Sequence, residues 1–364
     1  MATYDYVIVG AGSAGCVMAN RLSEDPNNSV LLLEAGGRDN NIWIHIPVGY
    51  IKTMYDPGVN WNFTTEPEDY TYNRQIPVPR GKVLGGSSSI NGMLYVRGQG
   101  RDYDGWAQLG NRGWSFEDVL PYFKKSETNT SKGTEFHGTG GPLHVDDMSE
   151  TYPILDAFID AAEEAGYPKN PDYNGASQEG FGYYQVTQKG GRRYSASRAF
   201  LDPIRGRDNL KIETDAFASK VMLEGKKAVG IHYTVHGFPR EVRANKDVIL
   251  CAGAIQSPQL LELSGIGQPS LLKEHGIDVV HELAGVGENH QDHYISRMAW
   301  KVKQPVTLNE RVRGLPLLVE GLKLIFQGKG ALTMPAGIAH GFIKTRPELE
   351  TPDVQYHCAH ASFA

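Results

Sequence analysis

The chain has 364 residues and a formal net charge of −6. That length is enough for two domains, since a domain has about 150 residues on average. Hydrophobic residues make up 40% and charged residues 21%, as in ordinary globular proteins. The acidic balance and the lack of any block of Lys and Arg argue against a nucleic-acid-binding protein.

The cysteines and the N-terminal residues indicate the cellular compartment of the protein. Cys16, Cys251 and Cys358 form no C-x-x-C pair, so neither a zinc site nor a disulfide framework is indicated, and such sparse use fits a reducing compartment. The first apolar segment begins within a few residues of Met1, which leaves no room for a signal peptide. No apolar run reaches the roughly 20 residues that span a membrane. We therefore expect a cytoplasmic location.

The N-terminal segment, residues 4–35, has the pattern of a nucleotide-binding βαβ unit. Tyr6 to Val9 is a short apolar run of the buried-strand type. Gly10, Gly12 and Gly15 follow it as G-x-G-x-x-G. The first glycine permits the tight turn, the second lets the backbone approach a pyrophosphate, and the third lets the helix pack closely on the strand.

The rest of this unit supports the same interpretation. A helix predicted from Ser13 to Leu22 would direct its N-terminal N–H groups at phosphates. A second strand, Val30–Leu33, ends at Glu34, where a carboxylate would accept from a ribose diol. The alternative is an ordinary βαβ turn without a ligand. The motif does not distinguish NAD from FAD, but Glu34 argues against NADP because it would repel a 2′-phosphate.

A second glycine-rich segment begins at Arg80. Gly85-Gly86 allows close approach of the backbone to a ligand, and Ser87–Ser89 supplies hydroxyls and a helix N-cap. Leu84 and Ile90 have core-like spacing, which argues against a flexible glycine-serine linker.

Two segments carry a family resemblance. Residues 81–91 resemble the first signature of the glucose–methanol–choline (GMC) oxidoreductases, and the surrounding residues 74–98 are most similar to choline dehydrogenase-like and alcohol dehydrogenase-like flavoproteins. Residues 253–267 resemble the second signature of that family. Within it, Ser257 as N-cap and Pro258 as the first helical residue predict the start of a helix.

The resemblance implies FAD as the cofactor. It places the backbone of Asn91 to Leu94 close to the flavin ring and that of Val221 at the adenine. Some members attach FAD covalently through a histidine at the position of Ile90, so we expect non-covalent FAD here. The predicted cofactor-binding residues are Gly10, Gly12, Ser13, Ala14, Gly15, Glu34, Ala35, Val83, Asn91, Gly92, Met93, Leu94 and Val221.

The fold class implied is α/β, a Rossmann-type FAD-binding domain with an α+β substrate-binding domain. We expect an FAD-binding domain over 1–150 with an extended excursion at 38–80, a substrate-domain segment at 151–192, a return to the FAD-binding domain over 193–295, and an incomplete substrate-binding domain over 296–364. The apolar spacing also predicts a helix over 151–166.

The resemblance implies oxidation of a primary alcohol to an aldehyde, with hydride transfer to flavin N5 and electrons passed to oxygen, a quinone or another acceptor. Family members continue beyond this point, and their catalytic histidine, with a histidine or asparagine partner, lies in that later segment. His340, His357 and His360 do not match its context. We therefore expect a C-terminally truncated chain. A catalytically incomplete flavin-binding protein is the alternative, and an NAD-linked dehydrogenase is disfavoured.

Two further patterns allow more than one interpretation. His290-x-x-His293 beside Asp292 suggests metal, but with no third ligand evident, a hydrogen-bonded loop is favoured. Residues 312–327 predict a helix with an apolar face, and we expect it to pack on a substrate-domain sheet. Association with a membrane surface is the alternative, disfavoured because positive charges are few. That face comprises Leu315, Leu318, Val319, Leu322, Ile325 and Phe326.

Overall fold

The computed structural model describes residues 1–361, and these form two compact units. The first unit consists of residues 1–40, 52–90 and 196–297. The second consists of residues 41–51, 91–195 and the described chain from 298 onward. Each unit is thus assembled from segments that are far apart in the sequence.

Helices and strands are interspersed along the chain. The helices are α1 (Ser13–Leu22), α2 (Ile42–His45), α3 (Tyr50–Thr53), α4 (Gly100–Gln108), α5 (Phe116–Ser126), α6 (Pro153–Glu164), α7 (Gly253–Leu263), α8 (Pro269–Glu274) and α9 (Gly314–Gln327). The strands are β1 (Ala2–Val9), β2 (Val30–Leu33), β3 (Phe63–Thr64), β4 (Pro77–Val78), β5 (Glu127–Asn129), β6 (Leu143–Asp147), β7 (Gly180–Tyr183), β8 (Gln185–Val186), β9 (Gln188–Lys189), β10 (Arg192–Arg193), β11 (Leu210–Glu213), β12 (Ala216–Glu224), β13 (Lys227–Val235), β14 (Phe238–Leu250), β15 (Ile266–Gly267), β16 (His281–Glu282), β17 (Ala339–Ile343) and β18 (Val354–Cys358).

A six-stranded sheet with the order β11-β2-β1-β14-β13-β12 organises the described part of the first unit. The neighbours β11, β2, β1 and β14 run parallel, with Val9 opposite both Leu33 and Leu250. The strands β12, β13 and β14 continue the sheet as antiparallel hairpins. Val7 and Ile8 are fully buried, as expected of a central parallel strand that is covered on both faces. This sheet confirms the α/β fold class.

The second unit is built on smaller sheets. One has the order β18-β17-β7, and another joins β5, β6 and β8. Helix α6 buries Leu155 and Ile159 in a core that also contains Phe181 and Ile338. The predicted helix over 151–166 is therefore present, two residues shorter at each end.

The units divide the chain differently from the expected domains in one large segment. Residues 91–150 belong to the second unit, whereas the sequence analysis placed them with the first. The physical reason is strand pairing, since β6 pairs with β8 through Asp146 and Val186, deep in the second unit's sequence.

Two helix predictions within this fold are wrong. Helix α7 begins at Gly253 rather than at Ser257, and Pro258 lies inside it. The helix begins there because the chain leaves β14 at Cys251 and turns at Gly253, which has φ +86°. Helix α9 exposes the apolar face that we expected to pack on a sheet, because Glu320 and Leu324 occupy its buried side.

A buried ionic network links β5 to its surroundings in the second unit. Glu127 is fully buried and accepts from Arg97 and from His137 Nδ1, the latter at 2.8 Å. His137 Nε2 lies 3.0 Å from Asp172 Oδ1. Burial alone would lower the pKa of His137, but hydrogen bonds and charge from Asp172 and Glu127 raise it to about 9. The imidazolium therefore holds two carboxylates together.

This network predicts a stability that falls as the pH becomes alkaline. A histidine whose pKa is raised on folding contributes stability that is complete below its unfolded pKa of about 6.5 and is lost as pH rises through the folded value. In urea unfolding, the free-energy difference between the wild type and His137→Gln should shrink by about 3 kcal/mol between pH 7 and pH 10. The exposed His281→Gln is the matched control, and an unchanged difference for His137→Gln would contradict the assignment.

Candidate functional site

The turn after β1 is packed so tightly that two of its glycines have no room for a side chain. Gly10 has φ +96°, and a Cβ there would lie 2.5 Å from the Cys251 carbonyl oxygen. A Cβ on Gly15 would lie 1.8 Å from the Gly10 carbonyl oxygen. Both glycines are therefore required by the fold itself, since real Cβ atoms do not approach backbone so closely.

Gly12 is different, because the protein leaves space in front of it. A Cβ on Gly12 would meet nothing closer than Gly86 Cα at 4.0 Å, and its backbone is extended, with φ −74° and ψ −163°. The described chain therefore has room for a methyl group here. A ligand can enter the open space in front of Gly12, whereas a side chain at this position would fill it. We call this space the cradle.

The N-terminus of α1 opens into this cradle. Gly12 is its N-cap residue and provides no side-chain hydrogen bond, and the first turn carries no acidic residue. Ser13 and Ala14 are exposed. The N–H groups of this turn and the positive end of the helix dipole are thus available to an anion, which is the arrangement that binds phosphate.

Glu34 lies beside the same turn, at the carboxyl end of β2. Its Oε2 accepts from Ala11 N at 2.9 Å and its Oε1 accepts from Gly36 N at 2.8 Å. Burial raises the pKa of Glu34 to about 7, against the opposing effect of these two hydrogen bonds. The carboxyl group is therefore fixed in position, and each oxygen keeps a further lone pair that can accept from a ligand hydroxyl.

The second glycine-rich loop packs against the first. Gly85 N donates to the Ala11 carbonyl at 2.8 Å, and a Cβ on Gly86 would lie 2.7 Å from Gly12 Cα. Val83 is fully buried and forms a bridge with Gly37. Two loops that are far apart in the sequence therefore form one surface.

The serines of this loop act differently from the N-cap that we predicted. Ser88 Oγ donates to the Gly85 carbonyl at 2.5 Å, and Ser89 Oγ donates to the Leu84 carbonyl at 2.7 Å. They follow a left-handed Gly85 into a short 3₁₀ turn, Gly86–Ser89, rather than capping an α-helix. Their role is to hold the loop against its own backbone.

The predicted residues of the first unit therefore lie mostly together. Strand β12 begins at Ala216, whose N–H donates to the Glu34 carbonyl at 2.8 Å, and Val221 lies further along it. Val221 is buried, and its N–H donates to Ser264 Oγ at 2.8 Å. The residues gathered at the carboxyl ends of β1 and β2 are Gly10, Gly12, Ser13, Ala14, Gly15, Glu34, Ala35 and Val83.

The predicted residues Asn91 to Leu94 belong to the second unit, where they form a constrained turn. Met93 is buried with φ +64°, and its N–H donates to Asn91 Oδ1 at 3.0 Å. A Cβ on Gly92 would lie 2.4 Å from the Ala336 Cβ, and Leu94 forms a bridge with Val186. A non-glycine residue in the left-handed region is held there only when its surroundings enforce it.

Hydrogen bonds from Arg193 help to hold this turn in its conformation. The sequence analysis did not identify this role of Arg193. Its buried guanidinium donates from Nη1 to Asn91 Oδ1 at 2.8 Å, from Nη2 to the Asn91 carbonyl at 2.7 Å, and from Nε to the Ile44 carbonyl at 2.9 Å. Burial lowers its pKa to about 9. The neighbouring Arg192 is exposed. Only the alternation of a strand could have indicated which of the two arginines points inward.

The histidines near residue 350 are accounted for by packing within the second unit. His340 lies among aromatic rings, with its ring centroid 4.4 Å from that of Tyr173, and His360 lies 3.9 Å from Tyr152. Burial lowers the pKa of both histidines to about 4. His357 Nδ1 is 3.0 Å from the Tyr184 hydroxyl. Both buried imidazoles are therefore neutral at pH 7.

The His290-x-x-His293 loop has the features of a braced turn. Asp292 accepts from His293 N at 2.8 Å and from Arg80 at 2.9 Å, and these contacts lower its pKa. Within residues 1–361, no group of three or more His, Cys, Asp or Glu side chains is arranged to hold a metal ion. The two hydrogen bonds to Asp292 are those expected of the hydrogen-bonded alternative.

Comparison with known families decides the classification. The model of the family described as GMC oxidoreductase matches residues 4–295. The chain belongs to the GMC oxidoreductases. The resemblance inferred from the two glycine-rich signatures is thereby confirmed.

Among curated GMC relatives, an alcohol dehydrogenase [acceptor] from Pseudomonas putida is 45% identical over 97% of this chain and 65% of its own length. Mitochondrial choline dehydrogenase from Homo sapiens is 43% identical over 97% of this chain and 61% of its own length. The chain therefore spans less than two thirds of the length of these relatives.

Solved GMC structures show the same fold. An FAD-dependent oxidoreductase from Chaetomium thermophilum superposes with a TM-score of 0.84 at 30% identity, over 93% of this chain and 61% of that one. A formate oxidase gives a TM-score of 0.83 at 27% identity, over 94% and 61% of the two chains.

The contacts of Arg193 predict a large loss of stability when the guanidinium is removed. Arg193→Met leaves the Asn91 carbonyl and side-chain oxygen without this charged donor, and hydrogen bonds to charged groups contribute about 1.5–3 kcal/mol each. We expect the free energy of unfolding in urea to fall by at least about 3 kcal/mol. Arg192→Met is the control at an exposed site and should change it by less than about 0.5 kcal/mol. Equal effects of the two substitutions would refute the role of Arg193.

Proposed function

We propose that this chain binds FAD, and that it is part of an oxidoreductase that oxidises a primary alcohol to an aldehyde and passes the electrons to oxygen, a quinone or another acceptor. The observation that carries the proposal is the open space in front of Gly12, at the uncapped N-terminus of α1 and beside the fixed Glu34. Packing alone gives no reason for a glycine at this position. A bound pyrophosphate explains the glycine, because the phosphates must approach the backbone closely.

The residues present fit the ADP part of the cofactor. The N–H groups at the start of α1 bind the pyrophosphate, and the Glu34 carboxyl accepts from the ribose hydroxyls. The main chain near Val83 and Val221 contacts the remainder of the nucleotide, as the family resemblance implies. Glu34 disfavours a 2′-phosphate at the ribose, so NADP is not the expected ligand.

Asn91 to Leu94 are assigned to the flavin ring on the same resemblance. Arg193 fixes the Asn91 carbonyl and side chain, so this segment keeps one conformation. Ile90 is a buried hydrocarbon side chain with no nucleophile, which favours a non-covalent cofactor. When FAD is bound, its flavin ring supplies the acceptor for a hydride from the alcohol carbon.

The names of relatives support an alcohol as the substrate. They include an alcohol dehydrogenase [acceptor] and several choline dehydrogenases, which points to a small-molecule alcohol. We assign no catalytic base within residues 1–361, because His340 and His360 are buried with their pKa lowered to about 4. This favours the second candidate for the 364-residue chain, an FAD-binding protein without turnover of its own. A cytoplasmic location remains a prediction from the sequence.

Reconstitution with FAD tests the proposal directly. We expect the purified chain to retain flavin through gel filtration and to absorb near about 450 nm, as flavoproteins do. Acid precipitation should release the flavin into the supernatant, because the attachment is non-covalent. A chain that retains NADH but no flavin would refute the proposed cofactor, and flavin that stays with the precipitate would refute the mode of attachment.

A pair of glycine substitutions separates ligand binding from folding. Gly12→Ala places its methyl group in open space, so the urea unfolding midpoint should change little while FAD affinity falls at least about tenfold. Gly15→Ala places its methyl group 1.8 Å from the Gly10 carbonyl oxygen and should destabilise the fold itself. Isothermal titration with FAD and urea unfolding measure the two effects. Unchanged FAD affinity in a folded Gly12→Ala variant would contradict the assignment of the cradle.

A further inference from the structure

The hairpin formed by β9 and β10 lies against the turn at residues 91–94 in the second unit. Its two strands are antiparallel, with Arg193 opposite Gln188. Gln188 Nε2 donates to Met93 Sδ at 3.8 Å. Just before β9, the Thr187 N–H donates to the Met93 carbonyl at 2.9 Å. The first strand of the hairpin and the residue before it therefore hold the turn at Met93.

The second strand holds the start of the turn through Arg193. Its guanidinium donates twice to Asn91, to the side-chain oxygen at 2.8 Å and to the carbonyl oxygen at 2.7 Å. A third hydrogen bond goes to the Ile44 carbonyl at 2.9 Å. A planar guanidinium that donates to two acceptors fixes direction as well as distance. One side chain thus determines both the position and the orientation of Asn91.

The conformation held in this way is unfavourable for a free chain. Met93 carries a side chain at φ +64°, which persists only where the surroundings impose it. On the other side of the turn, the Gly92 carbonyl accepts from Ala336 N at 3.2 Å, and a Cβ on Gly92 would lie 2.4 Å from the Ala336 Cβ. The turn is therefore fixed from two sides. A segment that presents one backbone shape to a ligand needs this kind of support.

Arg193 also places a positive charge in the protein interior. The residue is 1% exposed. Burial lowers its pKa to about 9, which still leaves the guanidinium protonated at pH 7. The three oxygen atoms that accept from it are uncharged and do not neutralise it. Lys189 and Arg192, the other cations of the hairpin, are exposed. Because buried charges are screened less than exposed ones, Arg193 is the hairpin cation with the strongest effect on its surroundings.

A buried positive charge at this turn matters for the chemistry of a flavin. The inference rests on the proposed function, in which residues 91–94 face the flavin ring. The ring gains negative charge when it accepts a hydride, whereas the oxidised ring is neutral. A positive charge near the ring stabilises the reduced form more than the oxidised form. The expected consequence is a higher reduction potential.

We propose that Arg193 positions the turn at residues 91–94 for the flavin ring, and that its buried positive charge raises the reduction potential of the bound flavin. Arg193 acts through Asn91, so it is a positioning residue. This role goes beyond the binding of FAD, because one side chain then controls how readily the cofactor accepts electrons. The residues that carry the inference all belong to the second unit and are described in the structure.

Two substitutions separate the charge of Arg193 from its hydrogen bonds. Arg193→Gln removes the charge but keeps an N–H donor, whereas Arg193→Lys keeps the charge but loses the fork of two donors. The reduction potential of the FAD-loaded chain can be measured by equilibration with a reference dye. We expect Arg193→Gln to lower it by at least about 30 mV, which is a tenfold change in a two-electron equilibrium. Arg193→Lys should lower it by less than half as much.

Binding affinities test the positioning role. ADP has no flavin ring, so its affinity should be the same in the wild type and in both variants. FAD affinity should fall about tenfold in Arg193→Lys, because one ammonium does not fix both oxygen atoms of Asn91. The matched control is Arg192→Gln, which removes an exposed cation from the same strand. It should change neither the potential nor the two affinities, and circular dichroism should show all variants folded.

Three outcomes would overturn the inference. The first is equal affinity of the wild type for ADP and FAD, since the turn would then contribute nothing to binding of the flavin ring. The second is an equal reduction potential in the wild type and in folded Arg193→Gln. The third is unchanged FAD affinity in Arg193→Lys, which decides the positioning role even where Arg193→Gln does not fold. Failure of the proposed function itself would differ, because the wild type would then bind neither ADP nor FAD.

Discussion

The close approach of two backbone segments, at Gly12 and Gly86, is the constraint on which the nucleotide site depends. A Cβ on Gly86 would lie 2.7 Å from Gly12 Cα, so the second glycine loop can rest on the first only without a side chain. Gly85 then donates to the Ala11 carbonyl, and Ala11 in turn donates to Glu34. One tight contact thus positions the helix N-terminus, the acidic residue and the loop at the same edge of the sheet.

Buried charge holds the other important elements in place. Arg193 secures the turn at Asn91, His137 joins Glu127 to Asp172, and Glu320 anchors α9. In each case one ionised group makes hydrogen bonds to several partners, and removing it would take away all of these hydrogen bonds at once. Specific polar networks therefore hold elements of the second unit in place, in addition to its apolar core.

The sequence was informative where the physical signal is local. Helix Ser13–Leu22 and strand Val30–Leu33 were predicted with their observed bounds, because glycine spacing marks the helix and a short apolar run marks the strand. The start of α7 was misplaced because Ser257-Pro258 is a typical N-terminal pattern, whereas the observed helix already begins at the left-handed Gly253 and carries Pro258 inside it. The burial of Arg193 had only one local signal, the alternation of a two-residue strand, which is too short to be recognised from the sequence.

The motif also indicated which residues of the first unit lie together. The residues around Gly12 and Glu34 lie together as the motif required. For α9, the sequence pattern predicted an apolar side but not whether that side faces the protein or the solvent. An amphipathic pattern shows only that a helix has one apolar and one polar side. Which side faces the protein depends on Glu320 finding Arg311 and Ala331, contacts that periodicity does not encode.

The pairing of β1 with β14 has a consequence for biosynthesis. Val9 lies opposite Leu250, so the central parallel strand acquires its second neighbour only after most of the described chain has been made. At about 5–20 residues per second, translation leaves that edge open for roughly 10–50 seconds. During this interval β1 and β2 present apolar strands that can pair with other nascent chains. The same parallel pairing that brings the glycine turn and Glu34 together thus leaves the emerging polypeptide with an open strand edge until β14 is made.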